Sequence, residues 1–183
     1  MTWMTKIAAL VLAGVMFTQP VAASALTYGY SYNPYNYSTT APRTATTTST
    51  STASTLNASV EKTLLSLLNA ERTKRGLSPL QSDSSLTNLA RLKSSDMVAK
   101  NYFSHTSPTY GTPAQMLSRY GISYRLYAEN IAQGADAYRI HAMWMASAGH
   151  RANILNPQLN RVGIGVTRSS TGSYTATQLF IAR

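Results

Sequence analysis

Three short stretches within residues 103–156 decide the fold: FSHTSP (103–108), AENIAQG (128–134) and MWMASAGHRANILN (143–156). They carry His105 and His150, two of the three histidines, with Glu129 between them. Chemistry-bearing side chains are scarce elsewhere, because the 183-residue chain has six acidic residues and no cysteine. The missing cysteines exclude a thiol nucleophile and a thiolate-ligated zinc, and the fold must rest on its apolar core alone.

Outward from these stretches the chain alternates helical patterns and turns, then ends in strands. Val60, Leu64, Leu67, Leu68 and Glu71 fall on one helical stripe that starts near Asn57, with Asn57 or Ser59 as cap and Gly76 as stop. Asn69 and Glu71 read as exposed polar positions, and Ser78–Leu80 as a turn. A second helix, capped by Asp83 or Ser84 and closed by Asn101, turns Leu86, Leu89, Ala90, Met97 and Val98 inward. His105 then lies in a Ser/Pro/Gly loop just past that helix.

Thr112-Pro113 opens a short helix stopped by Gly121, and residues 122–130 read as an extended lead into AENIAQG. Asp136 caps a helix through Trp144 that Gly149 breaks, and HRANILN (150–156) adds a turn before Pro157. RVGIGVTR (161–168) and SYTATQLFIAR (173–183) alternate as strands of a hairpin turning at 169–172. Helices precede strands, which predicts a layered α+β domain.

The N-terminal third has a different character. A lysine at position 6, an apolar run over 7–17 and Ala23-Ser24-Ala25 make residues 1–25 read as a secretory signal peptide. That run is too short to span a bilayer, which takes about 20 residues. Residues 26–56 hold five tyrosines, then a Thr/Ser-rich run with a single charge at Arg43, and read as a disordered linker. The folded domain is expected over 57–183. From Glu61 onward, 14 basic residues face six acidic ones, a balance of +8 that favours anionic surfaces. The basic residues are dispersed, so specific nucleic-acid binding is not expected.

LLNAERTKRGLSPL (67–80), FSHTSP, AENIAQG, WMASAGHRANILN, RVGIGV (161–166) and YTATQLF (174–180) occur in the order and spacing of a bacterial CAP domain. The chain therefore resembles the superfamily of cysteine-rich secretory proteins, antigen 5 and pathogenesis-related proteins over about residues 57–183. The resemblance implies an α+β fold, a three-layer α-β-α sandwich around a central antiparallel sheet. It also implies a cleft with two histidines and two acidic residues, matched here by His105, Glu129 and His150. The remaining acid falls at Ser147, so the set is a triad at most.

Two imidazoles from separate loops suit weak zinc binding, with His105 and His150 as ligands and Glu129 or waters filling out the shell. Such binding needs neutral rings and weakens below about pH 6.5. Glu129 has two open roles, a general base or a partner that orients a histidine. His141 matches no family site position and reads as surface or satisfied core. Asn130 and Asn153 read as loop-bonding residues, and Trp144 as core.

Three functions stay open. The first is a secreted, monomeric, non-enzymatic binding module for an apolar or envelope-derived ligand. The second is a metal-assisted hydrolase of peptide or phosphodiester bonds, with Glu129 as the catalytic base. The third is a structural cell-surface protein tethered by its N-terminal arm.

Overall fold

The computed structural model describes residues 17–18 and 47–183, with side chains from residue 54 onward. The expected leader, apart from residues 17–18, and the expected linker as far as residue 46 lie outside the described residues. In chain order the elements are β1 (Phe17–Thr18), α1 (Thr47–Thr73), β2 (Gln81–Ser82), α2 (Ser84–Ala99), α3 (Pro113–Arg119), β3 (Leu126–Gly134), α4 (Ala137–Ala146), α5 (Ala148–Ile154), β4 (Arg161–Arg168) and β5 (Tyr174–Ala182).

One sheet runs in the order β1-β3-β5-β4-β2. Its body is antiparallel: β3 pairs with β5 from Leu126↔Ala182 to Gly134↔Tyr174, and β4 pairs with β5 from Arg161↔Ile181 to Arg168↔Tyr174. The period-2 geometry of a strand sends alternate residues of the central β5 into two cores. Ala176, Phe180 and Ala182 meet Leu64 and Leu68 of α1 with Ile140 and Trp144 of α4. Leu179 and Ile181 meet Leu86, Leu89 and Ala90 of α2 with Met116 and Leu117 of α3. Helices therefore cover both faces, and the fold is the expected α-β-α sandwich.

Several local details differ from the sequence reading. α1 begins at Thr47 rather than at Asn57, so residues 47–56 of the expected linker are helical. Extending an existing helix adds one bond per residue fixed, and Ser and Thr lose only a few tenths of a kcal/mol against better formers, about 0.7 at most. Ser78–Leu80 is more than a turn, because β2 follows it and joins β4 in parallel through Gln81↔Arg161 and Ser82↔Val162. Asn69 makes that edge possible: its amide binds both the Leu80 N–H (2.8 Å) and the Leu80 carbonyl (3.1 Å), as a neighbouring strand would. It is not a free surface residue. Glu71 pairs with Arg75 one turn on.

The break between the last two helices falls at Ser147, whose backbone is extended (φ −84°, ψ 124°), and Gly149 continues inside α5. The Arg151 guanidinium reaches back to the Met145 carbonyl at 2.7 Å and satisfies the end of α4 there. His141 is 8% exposed, a core position rather than a surface one.

Candidate functional site

The site lies along the outer edge of β3, where a loop from one helical layer meets the α4–α5 corner from the other. A cleft of about 530 Å³ is lined by Phe103 and His105, by Ile131, Ala132 and Gln133 of β3, and by Met143, Trp144, Ser147 and His150. Its walls are mainly apolar.

His105 rides on the loop that leaves α2. Asn101 takes a left-handed turn (φ 50°) after that helix, as Asn tolerates better than most residues. Asp96 of α2 then gathers the loop, accepting from Tyr102 Oη (2.7 Å), Ser107 Oγ (2.6 Å) and Thr109 Oγ1 (2.6 Å). Burial alone would raise the Asp96 carboxyl, but the hydroxyls of Ser107, Thr109 and Tyr102 outweigh it and hold it below the usual carboxylate range. Burial, with the Asp96 charge beside it, pushes the Tyr102 phenol up to about 12. Lys93, fully buried one turn earlier on α2, donates to the His105 carbonyl at 2.7 Å.

Glu129 stands behind His105. It is 3% exposed, its Oε1 lies 2.7 Å from His105 Nδ1, and it does not line the cleft. Burial pushes its carboxyl up, against the opposing pull of the His105 bond and the Lys93 charge. As a carboxylate it can only accept, so it selects the ring form protonated at Nδ1 and leaves a lone pair on Nε2. His105 Nε2 is buried and has no protein partner.

His150 comes from α5 and is placed by its backbone: Asn130 Nδ2 donates to its carbonyl at 3.1 Å. Asn130 also donates to Gln178 Oε1 (3.1 Å) and accepts from Asn153 (2.9 Å), so the asparagines join α5 to the sheet as bonding residues. The His150 Nε2, too, is buried without a protein partner. Burial lowers its pKa, and the nearby charge of His105 lowers it further. Trp144 packs in the core and donates Nε1–H to the Ile131 carbonyl at 3.2 Å, while Asn153 takes the Glu129 carbonyl at 3.4 Å. Two outward carbonyls of the β3 edge are thereby occupied, which blocks strand addition along the cleft.

The structure thus brings His105, Ser147 and His150 into one wall and sets Glu129 beneath it. Ser147 makes no capping bond to α5. Among the described residues, no three His, Cys, Asp or Glu side chains converge as a ligand set. Of His105, Glu129 and His150, only Glu129 and His105 bond to each other, through His105 Nδ1. The sequence reading missed Lys93 and Asp96. The signal was there, since Lys93 occupies the inward stripe of α2 between Ala90 and Met97.

Comparison with known proteins agrees with this architecture. Residues 65–180 match the model of the CAP family, described as the cysteine-rich secretory protein family. The uncharacterized protein YkwD of Bacillus subtilis (strain 168) is 47% identical over 127 residues, 69% of this chain and 48% of that protein. The crystal structure of an extracellular protein containing an SCP domain from Bacillus anthracis str. Ames superposes with a TM-score of 0.68 at 32% identity, over 79% of this chain and 45% of that one. An outer surface protein of Borrelia burgdorferi superposes with a TM-score of 0.62 at 24% identity, over 67% of this chain and 91% of that one, a likeness of fold alone. The chain spans about half the length of YkwD and of the B. anthracis protein. With the family model covering the chain from α1 into β5, including the cleft and both histidine segments, the chain belongs to the cysteine-rich secretory protein (CAP) family.

Proposed function

We propose that this chain is a secreted, non-enzymatic binding module, acting as a monomer, whose cleft takes an apolar, envelope-derived ligand beside a weak divalent-metal site. One observation carries the reading: His105 and His150 line the same mainly apolar cleft, and the Nε2 of each ring is buried and has no protein partner. A buried polar atom left unpaired costs about 1–3 kcal/mol, so the pair is suited to receiving something. The cleft volume of about 530 Å³ lies in the range of small-molecule sites.

His105 and His150 would hold zinc, and the remaining positions would be left to waters or to donors of the ligand. A bound zinc would supply a Lewis-acidic contact for a ligand oxygen or nitrogen. Glu129 fixes the ring that donates and stays out of the wall, which favours binding over hydrolysis by a carboxylate base. Secretion fits the B. anthracis protein, which is extracellular. Residues 26–46 of the tether in the structural-protein reading fall outside the described residues.

The test is a zinc titration of the chain and of a His105→Ala/His150→Ala variant, followed by binding heat and by thermal unfolding. Zinc should bind the first and raise its Tm, and should leave the second unchanged. Identical traces would remove the metal site. An apolar fluorophore should bind the chain and lose affinity in Met143→Glu; equal binding would remove the apolar cleft.

A further inference from the structure

A lysine with no exposed surface is rare, because the ammonium gives up its hydration for whatever partners it finds. Lys93 is such a residue: it is fully buried, and its Nζ sits 2.7 Å from the His105 carbonyl and 5.4 Å from the centre of the Tyr102 ring. Packing alone would place a leucine there, on the stripe formed by Leu86, Leu89, Ala90 and Met97. One turn later on the same helix, Asp96 accepts from three hydroxyls, those of Tyr102, Ser107 and Thr109. Loop residues 102, 105, 107 and 109 are thus tied to one cation and one anion on a single helix.

That helix has little freedom to move. A methyl group at Gly165 would lie 2.0 Å from Arg91 N, and one at Gly163 would lie 2.1 Å from the Leu86 carbonyl carbon, so α2 rests backbone against backbone on β4. Ser94 Oγ adds a bond to the Gly165 carbonyl at 2.9 Å. The loop is held by a rigid element, while the ring of His105 meets Glu129 of the sheet.

We infer that Lys93 and Asp96 are positioning residues: they fix the backbone of the His105 loop so that Nδ1 faces Glu129 and Nε2 faces the cleft. The inference rests on the reading of His105 and His150 as the working end of the cleft. It goes further in naming what selects the donor atom. Glu129 can choose the ring form only if the His105 backbone holds the imidazole against it. A slack loop would let the ring turn and present either nitrogen.

The test uses the metal-free chain, where proton–nitrogen NMR of the histidine rings reports the tautomer directly. The His105 ring should show a single tautomer, with its proton on Nδ1. In Lys93→Met that single form should give way to a mixture, while the His150 signals, set by Asn130, stay in place. Zinc affinity should fall about tenfold in the same variant, as for other residues that orient a metal ligand. Should Lys93→Met fail to fold, Ser107→Ala/Thr109→Val loosens the Asp96 grip with the Lys93 core position still filled, and the same mixture is expected. A folded variant of either kind that keeps a single Nδ1-protonated His105 would overturn the inference, since a purely structural role lowers Tm and leaves the tautomer alone. The ring spectra need no metal, so a chain that binds no zinc would remove the metal site of the proposed function while the tautomer result still decides this one.

Discussion

His105 and Glu129 meet at 2.7 Å although they come from different layers, one from the loop after α2 and the other from β3. The contact decides what each can do. Glu129 is buried behind the ring and does not line the cleft, and His105 has only Nε2 left for another partner. The missing second acid at Ser147 then leaves a wall of two imidazoles, one hydroxyl and the Gln133 amide among apolar side chains.

Glu129→Gln keeps the shape of the side chain and removes its charge. Burial pushes the Glu129 carboxyl above its ordinary 4.5, against His105 and Lys93. A carboxyl raised by folding contributes stability that is whole below its unfolded pKa and is lost as pH rises through the folded one. Gln has no such loss. The Tm of Glu129→Gln relative to the unsubstituted chain should therefore climb between about pH 4 and about pH 7, while zinc affinity drops about 10- to 100-fold. A Tm difference that stays flat across this window would contradict the burial argument.

His141 gives the opposite pH dependence. Burial lowers its pKa below the ordinary 6.5, partly countered by Glu71, and its Nδ1 is buried without a protein partner. A histidine lowered by folding contributes stability that is present above about 6.5 and is lost as pH falls toward the folded value. His141→Leu should lose less Tm than the unsubstituted chain between about pH 7 and about pH 5. His150 is lowered too, so some acid loss remains in the single variant. Parallel Tm–pH curves for the two proteins would refute the assignment to His141.

Much of this was legible in the residues themselves. The stripe of Leu64 and Leu68, the caps at Asp83, Thr112 and Asp136, and the alternating final strands are local patterns, and local patterns survive folding here. The histidine segments were readable because their motifs lie in register along the chain. What stayed hidden depends on distance in sequence. Asn69 acts as a strand partner only because Leu80 returns beside it, and Arg72 reaches carbonyls more than 80 residues away. The break at Ser147 is set by Arg151 bonding back to Met145, while Gly149 drew attention as the expected breaker. Glu129 was placed in the triad, but its burial behind His105 required both layers to be assembled.

Gly165 and Gly121 separate two reasons for a glycine. A Cβ at Gly165 would come within 2.0 Å of Arg91 N and 2.1 Å of the Ala90 carbonyl carbon, both backbone atoms that cannot step aside. Gly165→Ala should therefore cost about 3 kcal/mol or more as α2 lifts from β4, and should disturb the His105 loop that α2 carries. Gly121 has open space around it but a φ of +66°, so Gly121→Ala should cost only the left-handed strain of about 1–2 kcal/mol. Chemical denaturation gives both values. Equal losses would mean that α2 can shift, and the close-approach argument would fail.

Arg72 brings a buried charge onto four backbone carbonyls. It is 1% exposed, and its guanidinium donates to the carbonyls of Ser78 (2.8 Å), Ile154 (2.8 Å), Asn156 (2.9 Å) and Leu159 (3.4 Å). Those carbonyls belong to the turn before β2, to the last residue of α5 and to the segment between α5 and β4, so one planar fork ties α1 to all three. Burial lowers its pKa, but an arginine stays charged throughout the working range. A lysine has the same charge and three donors on a single atom, which cannot span four carbonyls spread around a plane. Arg72→Lys should therefore lose about 3 kcal/mol, from bonds worth about 1 kcal/mol each and from carbonyls left dry. Arg72→Met should lose at least as much. Because α5 carries His150, both variants should also loosen that segment in hydrogen exchange before global unfolding. A Lys variant as stable as the original would show that charge, and not the fork, holds the junction.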